Sequence, residues 1–356
     1  MVTGVFGAII IIVMSFRSWV STITFILLVL VMYFGRHQIV EAWGLLGRVN
    51  LGVWFLLIPV QLMSYYTTGE IMFSYLRSRG NLQTTTRWQM TRIALELNFV
   101  NHILPSGGAA GFSYLGWVLK RHGVGAGRAT MSQVVRFILT FIAFVSIVII
   151  SVISLTFDGK IDKVILIVSA SLIFAAIGGT ALVIYGIGNH QRLIKLSNWI
   201  TRTVNKVSSK LTRGKKTDVL KLETVEGFFT EMHQDYLEIR REKSILVRPF
   251  IWAALTCIFD VALIFIAFAS LGHIVNPAML FIAFGIASIV SVVSSVPGGA
   301  GVYEAVMIAF LASAGVPADV AIAGTLLARV TLLIGTVIFG YIFYQLTINK
   351  YGKATN

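Results

Sequence analysis

Apolar residues in this chain run in long stretches, and the places where they break say more about organisation than the stretches themselves. Residues 20–35, 50–67, 131–157, 164–187, 248–270 and 319–346 approach or exceed the about 20 residues a helix needs to cross a bilayer core, so each reads as a span. Residues 1–16 are apolar as well, but Arg17 interrupts them and no small-residue cleavage site follows. They read as an interfacial helix or as the start of a long, tilted first span. Two further stretches, 93–119 and 277–315, are interrupted internally. The first reads Leu104-Pro105-Ser106-Gly107-Gly108-Ala109-Ala110-Gly111, the second Val296-Pro297-Gly298-Gly299-Ala300-Gly301. Proline lacks the N–H and each glycine costs about 1 kcal/mol in a helix, so neither run continues as one.

The two breaks sit in matching contexts. A Gly-Val pair follows the proline by 18 residues in both (Gly123-Val124, Gly315-Val316), and an arginine inside an apolar segment follows by 31 (Arg136) or 32 (Arg329). Arg77, Arg79, Arg87 and Arg92, then Lys120, Arg121 and Arg128, then residues 188–248, then Lys350 and Lys353 mark the cytoplasmic side by the positive-inside rule. With that orientation hairpin 93–119 enters from inside and 277–315 from outside. The chain reads as an all-α polytopic membrane protein with about six to eight spans and two re-entrant helical hairpins in an inverted repeat. Span 50–67, hairpin 93–119 and span 131–157 face span 248–270, hairpin 277–315 and span 319–346. The alternative is that each hairpin is two ordinary spans joined by a Pro-Gly turn. The domains follow: a first half over 1–187, a basic amphipathic cytoplasmic linker over 188–247, a second half over 248–346 and a cytoplasmic tail over 347–356.

Composition narrows the class. The chain is 56% hydrophobic and only 12% charged, against about 25% charged in soluble domains. Of the 29 Lys and Arg, 13 lie in 188–248, which suits an anionic membrane surface and not nucleic acid. Val225, Phe228, Phe229, Met232 and Tyr236 recur there at helical spacing, as in an amphipathic helix pair. Cys257 is alone and the histidines (37, 102, 122, 190, 233, 273) show no ligand spacing, so neither a disulfide nor a metal site is expected. No G-x-x-x-x-G-K-[ST] loop is present and Gly123–Gly127 follows no strand pattern, so neither ATP hydrolysis nor a cofactor is expected.

Ionisable groups inside spans are costly and are functional candidates by default. They are Glu96 and His102 before the first break, Arg136 after it, Asp260 in span 248–270, and Glu304 and Arg329 after the second break. Arg136 and Arg329, at matching repeat positions, would face one central cavity. Half-helices starting near Gly111 and Gly301 would aim free N–H groups at the midplane, which together with two arginine forks makes an anion site suited to phosphate. A purely structural reading pairs Arg136 with Glu96, and Arg329 with Glu304 or Asp260. Asn98, Asn101 and His102 either satisfy backbone freed by the break or touch a head group. Glu304 suits the first turn of its half-helix, where an acid favours the dipole. Pro105, Gly107, Gly108, Gly111, Pro297, Gly298, Gly299 and Gly301 form the hinges.

Asn101-His102-Ile103-Leu104-Pro105 with the glycines after it, and Val296 through Glu304 with Gly315 and Ala328-Arg329-Val330, resemble the signatures of the lysylphosphatidylglycerol synthase transmembrane-region family. The resemblance covers roughly residues 20–346. It implies the flippase half of that family, which moves aminoacylated phosphatidylglycerol between leaflets. In full-length members a soluble aminoacyl-transferase domain follows; here the sequence runs ten residues past the last span, so a stand-alone transporter is expected and not an enzyme. Stand-alone members resembling it are associated with envelope glycolipid or polyisoprenoid pathways. Ala109-Ala110-Gly111-Phe112-Ser113 lacks the acid or arginine often found there, so head-group recognition in the first half is expected to differ. The expected function is ATP-independent movement of an anionic or phosphate-bearing lipid across the cytoplasmic (inner) membrane. The expected partners are membrane lipids, a soluble transferase and a second copy of the chain, with no nucleic acid. The alternatives are a membrane-embedded transferase or accessory subunit in lysylphosphatidylglycerol or envelope glycolipid synthesis, and a non-transporting assembly factor.

Overall fold

The computed structural model describes residues 47, 49–103, 109–157, 163–211, 221–294, 299 and 301–351. Span 20–35, Pro105, Gly107, Gly108, Pro297, Gly298 and the side chain of His102 lie outside the described residues. A helical turn at Leu51–Trp54 leads into α1 (Leu57–Ser78); α2 (Arg87–Ile103) and α3 (Ala109–Lys120) follow, then α4 (Ala126–Phe157) and α5 (Lys163–Ile187). The linker holds α6 (His190–Leu211) and α7 (Leu222–Arg241). The second half is α8 (Val247–Ser270), α9 (Pro277–Ser294), α10 (Val302–Ser313) and α11 (Ala318–Tyr351). The described residues contain no strand, and the chain is an all-α, multi-pass membrane protein.

Among the described residues, five helices are long and apolar enough to cross a membrane: Leu51–Ser78, Ala126–Phe157, Lys163–Ile187, Lys243–Ser270 and Ala318–Thr347. Their outward faces are apolar, as with Ile150, Phe174 and Leu182, all more than half exposed. The arms flanking the breaks are shorter. α3 and α10 have 12 residues each, or roughly 18 Å of helix against a core of about 30 Å. They stop short of a full crossing, as re-entrant arms do.

Helix ends explain why the repeat is visible in sequence. Gly123 and Gly315 have φ of 77° and 89°, a conformation glycine reaches without strain. The following Val124 and Val316 N–H groups donate back to Leu119 and Leu311 carbonyls, at 3.1 and 3.0 Å, which closes α3 and α10 in the same way. Gly80 and Gly272 do likewise for α1 and α8, with φ of 75° and 81°. Each of these pairs, and the starts of α4 and α11 at Ala126 and Ala318, is 192 residues apart. In that register Arg329 is equivalent to Phe137 and Arg136 to Ala328, so the two arginines are one residue, about 100° of helix, out of step. The expectation that they occupy equivalent positions is corrected accordingly.

The halves pack about a pseudo-two-fold. α1 and α8 run antiparallel: Asn50 N–H donates to the Ser270 carbonyl at 2.8 Å, Ser64 Oγ to Asp260 Oδ1 at 2.5 Å, and Thr256 Oγ1 lies 2.9 Å from Thr67 Oγ1. Hairpin α2–α3 packs on α11 through α2, and hairpin α9–α10 packs on α4 through α9. The repeat is thus inverted as well as duplicated. α7 lies against the start of α4, where Glu231 Oε2 accepts from Gly127 N–H at 3.0 Å.

Candidate functional site

A cavity of about 390 Å³ lies where α1, α4, α8 and α11 meet the hairpins. Its charged lining among the described residues is Arg136, Asp260 and Arg329. Arg136 follows the start of α4 by ten residues and Arg329 the start of α11 by eleven, which is about 15 Å along either helix. The inverted repeat brings the two helices in from opposite ends, so both guanidinium groups reach a common depth.

The arginines are held differently. Arg329 Nε donates to Glu304 Oε1 at 2.8 Å, and the Gly301 N–H donates to Glu304 Oε2 at 2.5 Å. Glu304 therefore closes the N-terminus of α10 and neutralises the arginine at once. At the half-helix end expected to offer free N–H groups, Glu304 thus takes up the Gly301 N–H. Gly299 and Gly301 have φ of 67° and 81°, and a Cβ on Gly299 would fall 1.5 Å from Ser291 Oγ, so a glycine is required there. Arg136 has no carboxylate within 4.0 Å among the described residues. Its Nη2 donates to Gln133 Oε1 at 3.2 Å, its plane lies 4.6 Å over the Phe137 ring, and its Nε is buried without a hydrogen-bond partner.

The alternative pairing of Arg136 with Glu96 does not occur. Glu96 is fully buried and accepts from Tyr114 O–H at 2.6 Å and Thr347 Oγ1 at 2.7 Å, with Arg92 at 3.9 Å. The packing of α2 on α11 turns it toward Thr347 and away from the cavity. Asn101 is not in the cavity lining either; a Cβ on Gly111 would fall 2.2 Å from its Oδ1, so the side chain fills the angle between α2 and α3. Asn98 does line the cavity.

Several lining residues were not singled out from the sequence. Gln61 Nε2 donates to Tyr65 O–H and to the Leu332 carbonyl, both at 2.8 Å, and Tyr65 hydrogen-bonds Thr336. A Cβ on Gly335 would fall 2.2 Å from Gln61 Oε1, so that glycine admits the amide between α1 and α11. Gln61, Ser64 and Thr68 recur at i, i+3 and i+7 on α1, a polar stripe that helical periodicity exposes. Among the described residues no group of three His, Cys, Asp or Glu stands close enough to hold a metal ion.

A protein-family model described as the lysylphosphatidylglycerol synthase TM region matches residues 19–340. A UPF0104 membrane protein of Methanocaldococcus jannaschii is 28% identical over 245 residues, which is 68% of this chain and 70% of that protein. With the match running through both halves of the repeat and both breaks, the chain belongs to the lysylphosphatidylglycerol synthase transmembrane-region family.

Proposed function

We propose that the protein moves a phosphate-bearing lipid between leaflets by alternating access, without ATP. The observation that carries this reading is the guanidinium of Arg136, which lines the central cavity and has a buried Nε with no partner. A phosphate diester supplies the paired acceptors an arginine fork is shaped to take. Asp260, in the same cavity, offers an acceptor to a head-group ammonium or hydroxyl. Aminoacyl-phosphatidylglycerol and polyprenyl-phosphate-linked head groups both meet that pattern. The acyl or prenyl tails would stay in the surrounding lipid, against the exposed apolar faces of α4 and α5. The pseudo-two-fold supplies two related packings of hairpins on α4 and α11, the kind of pair that rocking of one repeat against the other exchanges. By the positive-inside rule, α6, α7 and the C-terminus would lie on the cytoplasmic face of the inner membrane. A soluble transferase and a second copy of the chain are the proposed protein partners.

The test is scrambling of fluorescent phosphatidylglycerol, aminoacyl-phosphatidylglycerol and polyprenyl-phosphate analogues in vesicles holding the purified protein. One class should move, and Arg136→Ala and Arg329→Ala should each abolish the movement. Undiminished flux in Arg136→Ala, with the protein monodisperse, would sink the reading.

A further inference from the structure

A second, larger cleft of about 760 Å³ opens at the end of the molecule where α1 finishes and α8 begins. Three arginines from separate segments converge on it: Arg77 in the last turn of α1, Arg87 at the start of α2 and Arg248 at the start of α8. Glu70 is the only carboxylate in its described lining. Arg77 Nη1 lies 3.4 Å from Glu70 Oε1, and Arg87 donates to Tyr66 O–H at 3.3 Å. Arg248 is exposed and makes no hydrogen bond or ion pair among the described residues. One carboxylate against three guanidinium groups leaves the cleft two charges positive. Such a cluster, with forks arriving from different directions, matches a phosphate group.

The wall of the cleft identifies the carrier of that phosphate. Trp252 and Ile251 line it one turn below Arg248, Ile251 is more than half exposed, and Trp252 stacks edge-on against Tyr66 with ring centroids 5.6 Å apart. An aromatic pair between a charged rim and an exposed aliphatic face is the pattern of a membrane–water interface. A row of polar side chains on α1 also runs from the cleft toward the central cavity. Ser64, Thr67, Glu70, Ser74 and Arg77 follow one another on α1 at spacings of three or four, a polar stripe that winds part-way round the helix over roughly 20 Å. Ser64 belongs to the central cavity, and Glu70, Ser74 and Arg77 to the cleft.

We infer that this cleft is a second lipid-binding site, which holds the phosphate of an anionic phospholipid at the leaflet surface through Arg77, Arg87 and Arg248. Under the transport reading, on which only this role depends, it is the place where a head group loads before passing along α1.

Native mass spectrometry of the full chain in detergent tests the site without requiring transport. Dioctanoyl phosphatidylglycerol should bind, and the double variant Arg87→Gln/Arg248→Gln should bind it about tenfold more weakly, as for loss of one charge-assisted hydrogen bond. Arg136→Ala should retain this binding event. Dioctanoylglycerol, which lacks the phosphate, should bind no better than it does to the double variant. Equal affinity of wild type and double variant, or equal binding of dioctanoylglycerol, overturns the site. Displacement of the lipid by an equal concentration of inorganic phosphate overturns the lipid as the source of the phosphate. Both substituted arginines are exposed, so the fold should survive, and a monodisperse elution profile checks it. Scrambling measured on the same preparation separates the two ideas. Intact cleft binding without flux overturns transport alone, whereas flux that survives loss of cleft binding overturns the loading role alone.

Discussion

Glu304 serves two partners with its two oxygens, and the worth of each can be separated by substitution. Glu304→Ala removes one hydrogen bond from the Arg329 guanidinium and one from the Gly301 N–H, and hydrogen bonds to charged groups contribute about 1.5–3 kcal/mol. Glu304→Gln keeps an amide oxygen for one of them and loses the charge. Melting of the purified protein in detergent should therefore rank wild type above Glu304→Gln, and Glu304→Gln above Glu304→Ala. Identical melting of the two variants would mean that the carboxylate matters only as a charge. Residues of this kind were legible in the sequence because an ionisable group in an apolar stretch is costly enough to need a reason. Gln61, Ser64, Tyr65 and Thr336 were not, because a neutral polar side chain in a span is cheap, and only packing shows which ones converge.

Helix ends and most spans were readable at the level of elements, since glycines in a left-handed conformation, such as Gly123 and Gly315, are chemical necessities where those helices close. Expected spans 131–157, 164–187, 248–270 and 319–346 correspond to α4, α5, α8 and α11, each within a few residues at the start. Register was not readable to a single residue: the distance from proline to arginine suggested equivalence, whereas the helix starts show an offset of one. The partner of Glu96 depends on which helix covers α2, a long-range matter that no local pattern encodes. The close approach of α2 and α3 yields a second prediction. Gly111→Ala should destabilise by about 1–3 kcal/mol through overpacking against Asn101. Asn101→Ala added to it should restore most of the loss, because the alanine clears the space. Failure of the double variant to recover, in the same melting assay, would place the strain elsewhere.

At the scale of the whole molecule, a buried carboxylate lies at the centre of the contact between the linker and the first half. Asp235 accepts from Tyr75 O–H and from Arg128 Nε, each at 3.0 Å, with Arg79 at 3.9 Å. Burial raises its pKa above the ordinary 3.8, and the pull of Arg128, Tyr75 and Arg79 offsets this only in part. The folded state then holds its proton to higher pH than the unfolded state does. Its contribution to stability is fully present below 3.8 and is lost as pH rises through the raised value. Wild-type melting temperature should fall relative to that of Asp235→Asn as pH rises from about 4 to neutrality; a gap that stays constant with pH would contradict the sign. Basic composition foretold a surface linker, but not that an acid inside it would be its anchor. The central cavity has its own charge balance: Glu304 cancels Arg329, and Asp260 is equal and opposite to Arg136. Under the proposed transport, the empty protein would cross the membrane field uncharged, while the loaded one would carry whatever net charge its head group brings. Membrane voltage would then act only on the loaded passage, at about 2.3 kcal/mol per charge for each 100 mV, pulling anionic and cationic head groups in opposite directions.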